Sequence, residues 1–235
     1  MSTKRRVIIV AIDGPAGSGK TTLAEGLAER LGFVRVDTGA IYRAVALLAL
    51  RNGIDLEDEE SLTRLLDGLD LSFGMEQGVN KVLLAGDDVT DEIRDPKVSD
   101  AASKVSALPK VRAGLLGLQR KLALDCGAPG AILEGRDIGT VVFPEADFKF
   151  FVTASEDERA RRRYEELKAK GLSVTRDSVA REQASRDERD ISRTVSPLER
   201  ADDAVVIDST NKPPSEVVDE LQNIVTSAGI SARPR

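Results

Sequence analysis

The chain has 235 residues, 41 % hydrophobic and 31 % charged, enough for one domain or a domain with insertions that buries roughly 70 % of its unfolded surface. A formal net charge of −6 excludes a nucleic-acid binder held by overall positive potential, so any phosphate site must come from local clusters. The absence of histidine removes Ser-His-Asp and Cys-His catalysis and histidine metal sites, and the single Cys126 leaves neither an intrachain disulfide nor a cysteine zinc site.

Met1 to Arg6 is a short polar lead-in, and the six-residue aliphatic run after it is too short to span a bilayer or serve as a signal core, so a cytosolic protein is expected. Val7 to Ile12 is β-branched and almost wholly apolar, which predicts a strand buried on both faces of a parallel sheet. The next stretch, Gly14-Pro15-Ala16-Gly17-Ser18-Gly19-Lys20-Thr21-Thr22, matches G-x-x-x-x-G-K-[ST], with Gly14, Gly19, Lys20 and Thr21 at the fixed positions. Leu23, Leu27 and Leu31 then recur every four residues with Ala24 and Ala28 beside them, a helix that Gly32 stops. Strand, loop and helix are the setting a phosphate loop requires. Its glycines allow positive φ angles and close approach, so successive N–H groups can wrap a phosphate at the positive end of a helix dipole. Lys20 is expected to reach the β and γ phosphates of a nucleoside triphosphate, and the Thr21 hydroxyl to sit on the magnesium they share.

Phe33 to Asp37 predicts a second strand ending in Asp37, Thr38 and Gly39, where doubly wound sheets bind ligands. Thr38 is placed to cap the following helix, whose apolar stripe is Ile41, Val45 and Leu48, and Arg43 lies early on it. Leu56 to Leu69 reads as an acidic helix burying Leu62, Leu65, Leu66 and Leu69. Leu71 to Phe73 and Val79 to Ala85 read as a hairpin around Gly74 to Gly78, followed by a turn at Gly86-Asp87-Asp88. This breaks the strand and helix alternation and marks an inserted subdomain. Two helices follow, about Pro96 to Leu108 and Pro109 to Cys126, each with proline at a plausible first position.

Gly130 to Leu133 predicts a strand ending in Glu134-Gly135-Arg136-Asp137, charges grouped at one strand end as for a ligand, and Phe148 to Val152 another strand. Ser155 to Ala169 reads as a helix with a Ser155/Glu158 capping box, an acidic first turn and basic residues after it. From there to Arg193 come arginines 159, 161, 162, 163, 176, 181, 186, 189 and 193, with few apolar residues. That composition fits a solvated charged hairpin or a mobile lid that brings arginines onto phosphates, and its near balance of acids and bases is unlike a basic nucleic-acid tail. Ala204 to Ile207 is the last strand, Asp208-Ser209-Thr210 its exit and Pro213 to Ser227 the closing helix; Ile230 to Arg235 is expected to fray.

A phosphate loop indicates a nucleoside triphosphate but not what is done with it. A switch GTPase needs N-K-x-D, and Asn211-Lys212-Pro213-Pro214 lacks the aspartate. An ATPase motor or nucleotide sensor needs an aliphatic strand ending in a metal-organising acid, usually with further domains; Val205 to Asp208 has that pattern, but as the last strand of the chain. A small phosphoryl-transfer kinase needs a second anion site and a cover that excludes water, for which Arg43, Arg136 and the arginine-rich segment are candidates.

Six stretches, IDGPAGSGKTT at 12 to 22, DTGAIYRA at 37 to 44, GDDVTDEIR at 86 to 94, EGRDIGTVVFPEA at 134 to 146, RDERDISR at 186 to 193 and DST at 208 to 210, resemble the bacterial cytidylate kinase family, in its order and over essentially the whole chain. The resemblance implies an α/β fold, a P-loop NTPase-type parallel sheet with helices on both faces. It would comprise a core of 1–38, 127–154 and 194–235, a monophosphate-binding insert at 39–126 and a helical lid at 155–193. It implies transfer of the γ-phosphate of ATP to CMP or dCMP, with magnesium, by a monomeric cytoplasmic enzyme without nucleic-acid or membrane partners. By motif, Gly14 to Thr22 would hold the ATP phosphates, with Thr21 on the metal. Arg43 and Arg136 would grip the acceptor phosphate, Thr38, Ser103, Arg112 and Asp137 would surround the cytosine, and Arg186, Asp190 and Arg193 would meet the acceptor's sugar and phosphate. Lys20, Arg136, Arg186 and Arg193 would carry catalysis. Thr38 stands where relatives often have serine and Glu134 where aspartate is frequent. Cytosine shows an amine donor beside ring acceptors, which suits Asp137 with Arg112 and Ser103, whereas uracil reverses two of these positions. Related kinases of adenylate or shikimate type, and a sensor that binds ATP without transferring it, are the alternatives.

Overall fold

A computed structural model describes residues 6–76 and 79–229. The lead-in at 1–5, two residues of the hairpin turn and the expected fraying at 230–235 lie outside the described residues. In chain order the first elements are β1 (Ile8–Asp13), α1 (Lys20–Leu31), β2 (Val34–Asp37), α2 (Thr38–Arg51), α3 (Glu59–Leu66), β3 (Leu71–Glu76), β4 (Val79–Leu84) and β5 (Asp87–Asp88). Then come α4 (Pro96–Val105), α5 (Pro109–Leu124), β6 (Gly130–Gly135), β7 (Phe148–Thr153), α6 (Glu156–Ala169), α7 (Arg176–Ser192), β8 (Val205–Asp208) and α8 (Pro214–Ser227), with a π turn at Ile138–Val142. The described residues of Met1–Val36 and Arg120–Arg235 form one compact unit, and Asp37–Gln119 forms another.

The first unit is built on a sheet of order β2-β6-β1-β7-β8, in which β1 pairs parallel with β6 and β7, and β7 with β8. Register sets Asp13 beside Gly135 and Thr153 beside Asp208, so these strands stop at one edge and their exits collect there. On one face, Leu23, Leu27 and Leu31 of α1 and Val217, Leu221 and Val225 of α8 pack on Val10, Ile12, Ile132, Phe150, Val152 and Ile207. Each such fully buried side chain contributes roughly 1.5–3 kcal/mol. A Cβ on Gly26 would lie 3.0 Å from Val218, which is how closely α1 and α8 approach. The alternate residues Ile9, Ala11, Ala131 and Leu133 are buried too, which explains why β1 and β6 read as unbroken apolar runs. At the sheet edge β8 leaves Val205 and Val206 exposed and buries Ile207.

In the second unit α2 packs on α4, burying Ile41, Ala44 and Val45 with Val98, Ala101 and Val105, and β3, β4 and β5 make an antiparallel sheet. Asp37, not Thr38, caps α2: its Oδ1 accepts from the Ala40 amide at 3.0 Å, and Thr38 is the first helical residue. Helix α3 is shorter than its acidic, leucine-rich sequence suggests, because Asp58 accepts from both the amide and the hydroxyl of Ser61 and fixes its start there. Of its leucines only Leu62 is fully buried.

The capping box expected at Ser155 and Glu158 is half formed. Ser155 Oγ accepts from the Glu158 amide at 3.3 Å, but the Ser155 amide donates to Thr210 Oγ1 at 3.0 Å while the Glu158 carboxylate turns to Arg161 and Arg162. The reciprocal box sits at the start of α7, between Thr175 and Ser178. Among the described residues no helix is long and apolar enough to cross a membrane.

Candidate active site

The phosphate loop leaves β1 pressed against β7. At Gly14, with φ +147, a Cβ would lie 2.0 Å from the Val152 carbonyl oxygen, so only glycine fits. The loop carbonyls are taken up within the unit. Pro15 O accepts from Lys20 Nζ at 2.7 Å, Ala16 O from Arg159 Nη1 at 3.1 Å and Gln183 Nε2 at 2.7 Å, and Ser18 O from Ser209 Oγ at 3.0 Å. Helix α1 starts behind Gly19 (φ 91) with no side-chain cap. The amides of its first turn are therefore left for a ligand, and the helix dipole favours an anion there.

Lys20 is buried under this loop. Burial first, then the nearby Arg136, pull its pKa down to about 7 against the attraction of Glu134, Asp13 and Asp190. The phosphate-loop lysine, the strand-end charges of β6 and the acids of α7 thus act on one another within one unit. A phosphate beside Lys20 would favour its ammonium form.

Asp13, which sequence reasoning passed over, ends β1 in the protein interior. Its oxygens accept from the amides of Ile138 at 2.8 Å and Gly139 at 2.7 Å, tying β1 to the π turn that follows Arg136 and Asp137. Burial raises its pKa to about 6 against those two hydrogen bonds, with Asp137 adding to the rise. A carboxylate closing an otherwise apolar strand was the available signal.

Glu134 is buried at the end of β6. One oxygen accepts from Thr21 Oγ1 at 2.6 Å and the other from Arg35 Nη1 at 2.6 Å, and Arg35 also pairs with Glu25 at 3.2 Å. Arg35 too was missed. Arg136 Nε donates to Asp190 Oδ2 at 2.7 Å, and Arg193 stands 3.9 Å from the other Asp190 oxygen. Burial opposes the charge on Asp190, but Arg136, Arg193 and Arg186 together hold its pKa below the usual carboxylate value. The same pairing keeps Arg136 charged despite its burial.

The remaining expected residues lie in the other unit. Thr38 and Ser103 are buried. Arg43 Nη1 approaches Asp37 Oδ2 at 3.5 Å, so the Asp37 carboxylate is engaged by both the α2 cap and this arginine. Arg112 donates to the Ser106 carbonyl at 2.9 Å and lies 5.3 Å over the ring of Tyr42. Ser103 Oγ is buried and meets no hydrogen-bond partner among the described residues. An unsatisfied buried hydroxyl costs about 1–3 kcal/mol, which a ligand offering a partner recovers.

Residues 10–227 match the family model described as cytidylate kinase. A cytidylate kinase of Geobacter sulfurreducens is 52 % identical over 94 % of this chain and 94 % of its own length. One of Carboxydothermus hydrogenoformans is 50 % identical over 92 % and 96 %, and one of Vibrio cholerae 48 % over 93 % and 96 %. Among solved structures, an uncharacterized protein from Eubacterium ventriosum superposes with a TM-score of 0.51 at 14 % identity, over 94 % of this chain and 99 % of that one, a likeness of fold.

Proposed function

The chain belongs to the cytidylate kinase family, and from that premise we propose how its own residues move the γ-phosphate of ATP onto CMP or dCMP, giving ADP with CDP or dCDP. The observation that supports the reading is the geometry around the phosphate loop, where buried Lys20 bonds Pro15 O at 2.7 Å, Thr21 bonds Glu134 at 2.6 Å and Arg136 bonds Asp190 at 2.7 Å.

The amides from Gly14 to Thr22 are assigned to the ATP phosphates and Lys20 to their β and γ oxygens. Transfer through a loose transition state depends on positioning and charge stabilisation, and the acceptor phosphate is already nucleophilic, so no general base is needed. Arg136, Arg186 and Arg193 stabilise the charge spreading over the transferred group. Asp190 holds Arg136 and stands near Arg193, and it is also assigned to the acceptor's sugar. Residues 155–193, containing α6 and α7, are assigned as the lid.

As the family's motifs imply, Arg43 is assigned to the acceptor phosphate, Thr38, Ser103 and Arg112 to the base, and Asp137 to the cytosine amine. The free hydroxyl of Ser103 supports this, as does the anchoring of Arg112 by Tyr42 and Ser106. Thr38 keeps the hydroxyl that serine would bring and adds a methyl near the base.

Magnesium fits Thr21, whose exposed hydroxyl gives its proton to Glu134 and leaves a lone pair for a cation. When bound, it neutralises charge on the β and γ phosphates. The longer arm of Glu134, where aspartate is frequent, still reaches Thr21 at 2.6 Å. We take the working protein to be a cytoplasmic monomer acting on small molecules.

The test is product analysis with ATP, magnesium and CMP. CDP and ADP appearing one to one supports the reading. ADP without CDP, or neither product, sinks it.

A further inference from the structure

We propose that Gln183 of α7 and Arg159 of α6 are positioning residues for the donor nucleotide, acting through the carbonyl of Ala16. The inference rests on reading the phosphate loop as the ATP site.

Ala16 O accepts from both side chains, at 2.7 Å from Gln183 Nε2 and 3.1 Å from Arg159 Nη1. A Cβ added to Gly17, where φ is +74, would lie 2.5 Å from Gln183 Nε2 and 3.2 Å from Arg159 Cβ, so both residues press on the loop at its next residue. In a trans peptide the carbonyl and the following N–H point opposite ways. Holding Ala16 O toward α6 and α7 therefore aims the Gly17 amide away from these helices. The same holds two residues on: Ser209 Oγ bonds Ser18 O at 3.0 Å, and Arg162 fixes Ser209 through its hydroxyl at 3.0 Å and its carbonyl at 2.6 Å. Helix α6 thus governs two carbonyls of the loop, one directly and one through Ser209.

The pair also joins the loop to the arginine cluster. Arg159 is buried, donates to Ala154 O at 3.2 Å and pairs with Asp187 of α7. Gln183 and Asp187 are one helical turn apart, and Asp190, on the next turn, holds Arg136 at 2.7 Å. One face of α7 therefore contacts the phosphate loop, α6 and Arg136 in succession. A buried carbonyl is costly to leave unpaired, so the two donors fix the direction in which Ala16 O points. The loop amides are in their donor-binding arrangement when α7 is seated, so ATP affinity depends on α7.

The experiment compares equilibrium binding of ATP with magnesium, and of CMP, to the full chain and to Gln183→Leu and Arg159→Lys. Gln183→Leu removes the donor and keeps much of the bulk, while Arg159→Lys keeps the charge beside Asp187 and shortens the reach to Ala16. Thermal melts exclude a misfolded variant, and either variant alone suffices. The expected result is ATP binding weakened about tenfold, the worth of one buried hydrogen bond, with CMP binding within about twofold of wild type. ATP bound as in wild type, or ATP and CMP weakened alike, overturns the proposal. If the wild-type chain itself binds no ATP, the reading of the loop fails with it.

Discussion

The Thr21 hydroxyl donates to Glu134 across 2.6 Å, and the other oxygen of that carboxylate is held by Arg35, also at 2.6 Å. The side chains of Arg35 and Glu134 are each only 5 % exposed. A carboxylate taken from water this far needs its cation, and its orientation decides which way the Thr21 lone pairs face.

Removing Arg35 alone should therefore be costly. Arg35→Leu is expected to lose about 3–5 kcal/mol of stability by taking from the buried Glu134 carboxylate the guanidinium that it meets at 2.6 Å. The double variant Arg35→Leu/Glu134→Gln should recover part of that, giving a coupling energy of about 0.5–3 kcal/mol. Denaturant unfolding of the wild type, Arg35→Leu, Glu134→Gln and the double variant measures it. Strictly additive losses would show that the pair does not act as a unit.

Asp13 should give stability an unusual pH slope. Its folded pKa, about 6, is raised above the ordinary 3.8, so between these values the folded state holds a proton that the unfolded chain has lost. Its contribution is present below 3.8 and is lost as pH rises through about 6. Relative to Asp13→Asn, the wild type should lose up to about 3 kcal/mol between roughly pH 4 and pH 7, since one pKa unit is about 1.4 kcal/mol. Parallel unfolding curves for the two proteins across that range would contradict this.

Kinetics should separate the two halves of the chemistry. Lys20→Ala is expected to lower kcat about 10²–10³-fold, as for loss of one preorganised transition-state donor. Arg112→Ala should chiefly raise KM for CMP, because it acts on the bound base and not on the reacting phosphate. Unchanged CMP kinetics in Arg112→Ala would remove it from the base site.

What was legible in the sequence was local. The spacing from Gly14 to Thr21, the four-residue recurrence of Leu23, Leu27 and Leu31, and the charged exit of β6 each announce themselves within a few residues. What was not legible joins distant points of the chain. Asp13 meets Ile138, Arg35 meets Glu134 and Gln183 meets Ala16 across 125, 99 and 167 residues, and no periodicity marks such pairs. The face of α7 is an intermediate case, because 183, 187 and 190 have helical spacing but stand among many other polar residues. Where two residues compete for one role, geometry decides. Asp37 takes the cap that Thr38 could have made, and Thr210 takes the Ser155 amide that would have closed the capping box.

The central claim, a kinase that chooses cytosine, is tested most directly by ADP release from ATP and magnesium with CMP, dCMP, UMP and AMP offered separately. A site built to pair the cytosine amine leaves polar groups unmatched on uracil, a discrimination that can reach about 10⁴-fold. Fast release with CMP or dCMP and little with UMP or AMP is the predicted result. Comparable release with UMP would contradict the assignment of Asp137, Arg112 and Ser103 to the base.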